Sequence, residues 1–191
     1  MPRAKDDTKI EAIHEAARTL VLRTGFSSLK MADVAKEARL ATGTLYVYYN
    51  SKEELVAEAF ASTKQRIATA LLSAQLIEGN YYESFQNLWK AYFSYCYAHP
   101  AEMLFVEQFI YSGYLPDQII KQANDLYLPL DKFIDAGKQT GILLRADTEI
   151  IKAQLMGSIH EIIKYSLHSN QAINAPLIEL CCNMAWNSVR R

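Results

Sequence analysis

The sequence predicts an all-α protein, and three observations carry that expectation. Apolar residues recur at three- and four-residue spacing in one segment after another. Only five Pro and seven Gly interrupt 191 residues of which 50% are hydrophobic, a balance that suits ordered helices around a substantial core. The segment ends coincide with helix signals: a hydroxyl, carboxylate or carboxamide before the pattern, or Gly or Pro at its boundary. About nine helices are expected, divided between an N-terminal region of residues 1–55 and a longer helical region of residues 56–191.

Residues 1–7 are polar, and Arg3, Lys5 and Lys9 are either phosphate contacts or part of a solvated arm. Thr8-Lys9-Ile10-Glu11 reads as a capping box, in which hydroxyl and carboxylate each satisfy an exposed N–H. Ile10, Ile13, Ala17, Leu20 and Val21 then keep one apolar stripe until Gly25, a C-terminal stop. Met31, Val34, Ala35 and Ala38 form a second short helical pattern, and Leu45 and Tyr49 lie one turn apart in a third. Two helices joined by so few residues cross steeply and leave the second free to project. That projecting segment, Thr42-Gly43-Thr44-Leu45-Tyr46-Val47-Tyr48, is mostly small, hydroxylated or aromatic, so it can approach nucleic acid closely.

The stretch from Val34 to Leu55, and above all Gly43-Thr44-Leu45-Tyr46 with Tyr48-Tyr49 and Ser51-Lys52-Glu53-Glu54-Leu55, resembles the helix-turn-helix of TetR-type transcriptional regulators. The resemblance implies an N-terminal three-helix helix-turn-helix domain and a C-terminal helical ligand-binding and dimerisation domain. It also implies DNA contacts from Lys30, Thr42, Gly43, Thr44, Tyr46, Val47, Tyr48 and Lys52. Thr42, Gly43 and Thr44 would approach base edges, Val47 a thymine methyl, and Tyr46, Tyr48 and Lys52 phosphates. Tyr49 is expected to pack inside with Leu45. Three departures stand out. Arg39 occupies the turn position usually given to Gly, where a left-handed backbone costs about 1 kcal/mol. Ala41 replaces the usual capping Ser, leaving Thr42 to cap the third helix, and Leu29-Lys30 replaces the usual hydroxyl residues, leaving Ser27 or Ser28 to cap the second.

Ser51-Lys52-Glu53-Glu54 is a second capping box opening a helix that continues to about Leu76, long enough to act as a lever between the regions. From Tyr81 to Tyr114 lie 12 of the chain's 21 aromatic residues with only Glu83, Lys90, Glu102 and Glu107 charged. An aromatic core accounts for any one of them, whereas so many Tyr and Trp polar tips together favour a pocket. The candidate ligand-binding residues are Phe85, Trp89, Tyr92, Phe93, Cys96, Phe105, Phe109, Tyr127, Met156 and His160. His160 is either a satisfied buried histidine or a ligand contact. The lining suits a small apolar or amphipathic effector, with Glu102 and Glu107 keeping a cationic one open.

Pro116-Asp117 starts a further helix, which Pro129 kinks or interrupts, making Pro129 a candidate hinge. Asp147-Thr148 caps a helix carrying Ile151, Leu155, Ile159, Ile162 and Ile163, and Gly157-Ser158 allows another backbone to approach. Asn174-Ala175-Pro176 opens the last helix, with Leu177, Leu180, Cys181, Met184 and Ala185 in a stripe. Two such stripes exceed what a small domain buries, and by resemblance these helices pair across a two-fold axis. The candidate homodimer residues are Ile151, Leu155, Ser158, Ile162, Leu177, Cys181, Met184, Ala185 and Ser188. The double-stranded DNA partner would then be a near-palindromic operator.

The net charge is -1, so nothing draws the whole chain to nucleic acid, and a basic surface must come from placement. Four histidines have no partner carboxylate or nucleophile in a recognisable constellation, and there is no Gly-rich phosphate loop and no metal-ligand spacing. An enzyme, a cofactor and a metal are therefore not expected. Cys96, Cys181 and Cys182 cannot all pair, which points to a reducing cytoplasm, and a redox sensor at Cys181-Cys182 is a weak alternative. No apolar run approaches the roughly 20 residues of a membrane span. A helical interaction or small-molecule-binding module without DNA binding is the competing expectation.

Overall fold

The computed structural model of the protein describes residues 6–110 and 112–191. Arg3 and Lys5 of the N-terminal arm, and Tyr111 of the aromatic stretch, lie outside the described residues. Ten helices occur among the described residues: α1 (Asp7–Thr24), α2 (Met31–Glu37), α3 (Thr42–Tyr48), α4 (Lys52–Leu72), α5 (Tyr81–Ala98), α6 (Pro100–Ile110), α7 (Asp117–Asp125), α8 (Leu128–Gln139), α9 (Thr148–Ser169) and α10 (Ala175–Val189). The count exceeds the expected nine because the interruption before Pro129 is complete. Pro129 sits in the first turn of α8, where a helix needs no N–H from it.

The chain forms two compact units, Met1–Gln65 with Ala101–Ala123, and Arg66–Pro100 with Asn124–Arg191. In the first, α1 turns Ile13, Ala16, Ala17, Leu20 and Val21 inward. Val34 and Ala35 of α2, Leu45 of α3, Leu55, Val56, Ala59 and Phe60 of α4, and Met103, Phe105 and Phe109 of α6 are buried with them. Phe26 meets Phe109 edge-on at 5.7 Å between ring centroids. Arg18 is buried in this unit and donates to Glu11 at 2.7 Å, to Glu15 at 3.1 Å and to Thr63 Oγ1 at 3.4 Å, with Glu102 of α6 4.0 Å away. Spreading its charge over carboxylates on α1 and α6 offsets the desolvation of a guanidinium.

The helix ends correct several expectations. Asp6, rather than Thr8, caps α1, its carboxylate accepting from Thr8 N at 3.1 Å. Neither Ser27 nor Ser28 caps α2, which starts too far along the chain for either: Lys30 is its N-cap residue and provides no side-chain bond. Thr42 does not cap α3 but is its first helical residue, behind Ala41. The second capping box holds on one side, with Ser51 Oγ accepting from Glu54 N at 3.1 Å. Its return bond goes to Asn50 N, which donates to Glu54 at 2.8 Å. Helix α4 ends at Leu72, four residues before the expected Leu76. Gly25, with φ +79°, stops α1 and donates its N–H to Val21 O at 2.8 Å.

The second unit is organised by α5, whose Phe85, Leu88, Trp89, Tyr92, Phe93 and Cys96 are all buried. Asn80 caps it, Asp147 caps α9 and Asn174 caps α10, each accepting from a first-turn N–H. Lys152 of α9 ties to Asp131 of α8 at 2.7 Å. Tyr81 stacks on Phe133 with 4.3 Å between centroids and donates to Phe133 O at 2.9 Å. This arrangement leaves no room at Gly137, where a Cβ would fall 2.3 Å from the Tyr81 hydroxyl and 2.8 Å from Leu143 Cγ. The chain end closes on the unit through Leu144 N, which donates to Val189 O at 2.9 Å, and Arg191 N, which donates to Ile142 O at 2.9 Å.

Candidate nucleic-acid interface and ligand cavity

Helix α3 is seven residues long, too short to hold itself together by propensity, so it is fixed by what it buries. Leu45 is completely enclosed, and one turn later Tyr49 is also buried, its hydroxyl sharing a 2.7 Å hydrogen bond with Nε2 of the buried His14. Burial, with the Glu58 carboxylate nearby, raises the Tyr49 phenol above its ordinary pKa and keeps it neutral. Two anchors on one side force the other residues outward. Thr42 and Gly43 are exposed, Thr44 and Tyr48 half-buried, and Tyr46 and Val47 are 53% and 75% exposed.

Gly43 separates the needs of the fold from those of a partner. A Cβ built there meets nothing within 4 Å, so no packing inside the protein requires glycine. Glycine in a helix costs roughly 0.5–1 kcal/mol relative to alanine. Lys52 is held more tightly than a free phosphate contact would be: Nζ donates to Phe26 O at 3.2 Å and Ser27 O at 3.3 Å, and lies 4.7 Å from the centre of the Phe26 ring. Those bonds fix the segment between α1 and α2 while leaving one ammonium N–H uncommitted. The Tyr48 hydroxyl accepts a long 3.5 Å bond from Asp6 N, and Lys30 is exposed at the start of α2.

The second unit encloses a cavity of about 40 Å³ lined by Leu71, Phe85, Leu88, Trp89, Tyr92, Leu130, Phe133, Ile134, Leu143, Leu155, Met156 and Ile159. Phe85, Trp89, Tyr92 and Met156 of the candidate ligand residues are on its wall. Phe93 and Cys96 are not: Phe93 is rotated to the side of the lining face and stacks between Trp89 and Tyr97, and Cys96 lies one turn beyond Tyr92 along α5. Tyr127 is buried outside the lining, with its phenol pKa raised by desolvation. His160 stands behind the wall, its Nε2 sharing a 2.8 Å hydrogen bond with the Tyr92 hydroxyl. Phe105 and Phe109 belong to the core of the first unit, the half-buried Glu102 and Glu107 lie in that unit too, and no carboxylate lines the cavity. Leu71, Leu88, Leu130, Phe133, Ile134, Leu143 and Ile159 complete the wall without having been singled out as candidates. Their signal was ordinary apolar spacing on four separate helices and, for Leu143, one apolar residue in the connection between α8 and α9. Trp89 Nε1 is buried with no hydrogen-bond partner among the described residues.

The candidate association residues divide by depth. Ile151, Cys181 and Ala185 are buried within the unit, Leu155 lines the cavity, and Ser158 and Ile162 are half-buried. Ser188 is exposed, and Leu177, Leu180 and Met184 form an outward apolar stripe on α10, with Leu180 55% and Met184 63% exposed. Burial raises the Cys181 thiol and pushes the Cys182 thiol up to about 11.

Comparison with known proteins agrees with this architecture. Residues 13–59 match the family profile described as bacterial regulatory proteins, tetR family, and residues 81–190 match the tetracyclin repressor-like C-terminal domain. A helix-turn-helix-type transcriptional regulator of Haemophilus influenzae is 32% identical over 192 residues, covering 100% of both chains. The crystal structure of a TetR-family transcription regulator from Marinobacter aquaeolei VT8 superposes with a TM-score of 0.90 at 26% identity, over 97% of each chain. One from Shewanella sp. PV-4 gives 0.83 at 25% identity, over 96% of this chain and 98% of the other. With α3 turned outward on the matched N-terminal segment and an apolar cavity in the matched C-terminal one, the chain belongs to the TetR family of DNA-binding transcriptional regulators, and is not an enzyme.

Proposed function

We propose that this regulator is a homodimeric repressor that leaves a near-palindromic operator when a small, neutral, apolar effector enters the cavity of the second unit. The observation that carries the DNA-reading part is the division of α3: Leu45 and Tyr49 are locked inside, while an exposed glycine, two threonines and two tyrosines face outward. Thr42, Gly43 and Thr44 take the base edges, Val47 a thymine methyl, and Tyr46 and Tyr48 the phosphates. Lys52 mainly holds the loop beneath them. The outward stripe of Leu177, Leu180 and Met184, with Ser188 continuing it, pairs with its own copy, setting two α3 helices about 34–36 Å apart.

The effector's chemistry follows from the cavity wall. No charged side chain lines it, so a bare carboxylate or ammonium would be desolvated there without compensation. A cavity of about 40 Å³ holds only a few water-sized atoms, so a ligand of ordinary size must push its lining apart. Leu71 in that lining belongs to α4, the helix that begins with Lys52. Displacing it is how binding would bias the DNA-reading end, and a coupling of about 1 to 3 kcal/mol suffices. Selection of bound fragments from genomic DNA tests the reading. The fragments should share a near-palindrome, and Tyr46→Ala should weaken binding to all of them while the dimer persists. Dissociation of that variant into monomers would mean the face is misassigned.

A further inference from the structure

We infer that the connection between α2 and α3 is a phosphate-binding site for the DNA duplex, with Arg39 as its principal donor; the inference rests on the chain's role as a DNA-binding regulator. Arg39 has φ +56°, in the left-handed region where a Cβ crowds the following carbonyl. Elsewhere among the described residues the chain fills such positions with Gly25, Gly79, Gly113, Gly141 and Asn170, the types that tolerate them. Arg39 is the exception. Its left-handed turn closes α2, with Leu40 N donating to Ala35 O at 2.8 Å and Arg39 N to Lys36 O at 3.1 Å, but a glycine would make the same two bonds without the strain. The Arg39 side chain is exposed and makes no hydrogen bond or ion pair with any described residue. The turn serves the fold, but the arginine side chain on it does not, and a strained residue kept where glycine would serve marks a functional position.

The surroundings say what would use it. Arg39 lies on the rim of a groove of about 460 Å³ whose wall also carries Arg23, Lys30 and Lys36. Against these four cations stand Asp33 and Glu37, and Glu37 is taken up by a loose 3.8 Å pair with Arg23. Lys30, Lys36 and Arg39 are left without a side-chain partner among the described residues. In a chain of net charge -1, this is the placement of positive charge that a polyanion requires. A phosphodiester fits better than a free anion because α3, whose outward face reads the duplex, begins three residues after Arg39. The planar guanidinium can grip two phosphate oxygens at once, which a glycine in the same turn could not do.

Full-length wild type, Arg39→Gly and Arg39→Lys should be titrated by fluorescence anisotropy against two probes, a selected genomic fragment and a 30-bp duplex of arbitrary sequence, between about 50 and 200 mM salt. A phosphate contact predicts that Arg39→Gly binds both duplexes several-fold more weakly and that the slope of log K against log salt falls by about 0.9 per protomer. Arg39→Lys should keep the slope, and the thermal midpoint of Arg39→Gly should not fall, which excludes unfolding as the cause. Unchanged affinity and slope in Arg39→Gly would overturn the site, as would a loss confined to the selected fragment, which would indicate a base contact. Failure of the wild type to bind either duplex would instead remove the DNA-binding role itself, and the site with it.

Discussion

Replacing Gly43 by alanine sets the fold and the duplex against each other. The added methyl meets no atom of the protein within 4 Å, so α3 should accept it without rearrangement. Exchanging a helical glycine for alanine gains about 0.5–1 kcal/mol, chiefly by restricting the unfolded chain. For a protein of this length that raises the thermal midpoint by roughly 1 to 4 °C. If Gly43 approaches the base edges as proposed, the same methyl would intrude on that contact, and forcing an extra carbon into a packed contact typically costs about 1–3 kcal/mol, or roughly five- to hundredfold in affinity. Differential scanning calorimetry and a gel shift on one selected fragment measure both sides. A lower midpoint would mean that the fold itself needs Gly43, and a higher midpoint with unaltered affinity would mean that α3 does not come close to the bases. Either result refutes the reasoning.

Other perturbations address the remaining parts of the molecule. Gly137→Ala should destabilise the second unit by about 1–3 kcal/mol in urea unfolding, because the new Cβ collides with Tyr81 and Leu143. Leu180→Glu with Met184→Glu should leave the protomer's helicity intact, both side chains being exposed, yet shift sedimentation from dimer to monomer at micromolar concentration. Cys182 should resist alkylation. With its thiol pushed up to about 11 from an ordinary 9.0, its thiolate fraction at pH 8 is about a hundredfold below that of the unfolded chain, and mass spectrometry of the native and denatured protein would reveal the difference.

The local features of the first unit were legible because each rests on neighbours in sequence. Leu45 and Tyr49 one turn apart predict the buried side of α3, and Arg39 in the family's glycine position predicts the left-handed turn, found at φ +56°. Capping was read less well. Asp6 and Thr8 are equally able caps, and the choice depends on where α1 begins rather than on chemistry. The aromatic stretch from Tyr81 to Tyr114 misled most. Its composition is uniform, but the fold divides it at Pro100, sending Phe109 to meet Phe26 with Phe105 packed on Phe109, and keeping Phe85, Trp89 and Tyr92 for the cavity. Nothing local marks that division. The cavity wall is likewise assembled from α4, α5, α8, α9 and the segment around Leu143, a convergence of distant leucines and isoleucines that periodicity alone cannot reveal.

The central claim is that two outward α3 helices, held apart by the pairing of α10 with its copy, read one operator. It is tested most directly by changing the distance between half-sites in a selected fragment and measuring affinity. Insertion of five base pairs turns one half-site about half a helical turn away from its reader, and binding should drop to the level of an arbitrary duplex, while insertion of ten should restore part of it. Affinity that does not respond to either insertion would contradict the account.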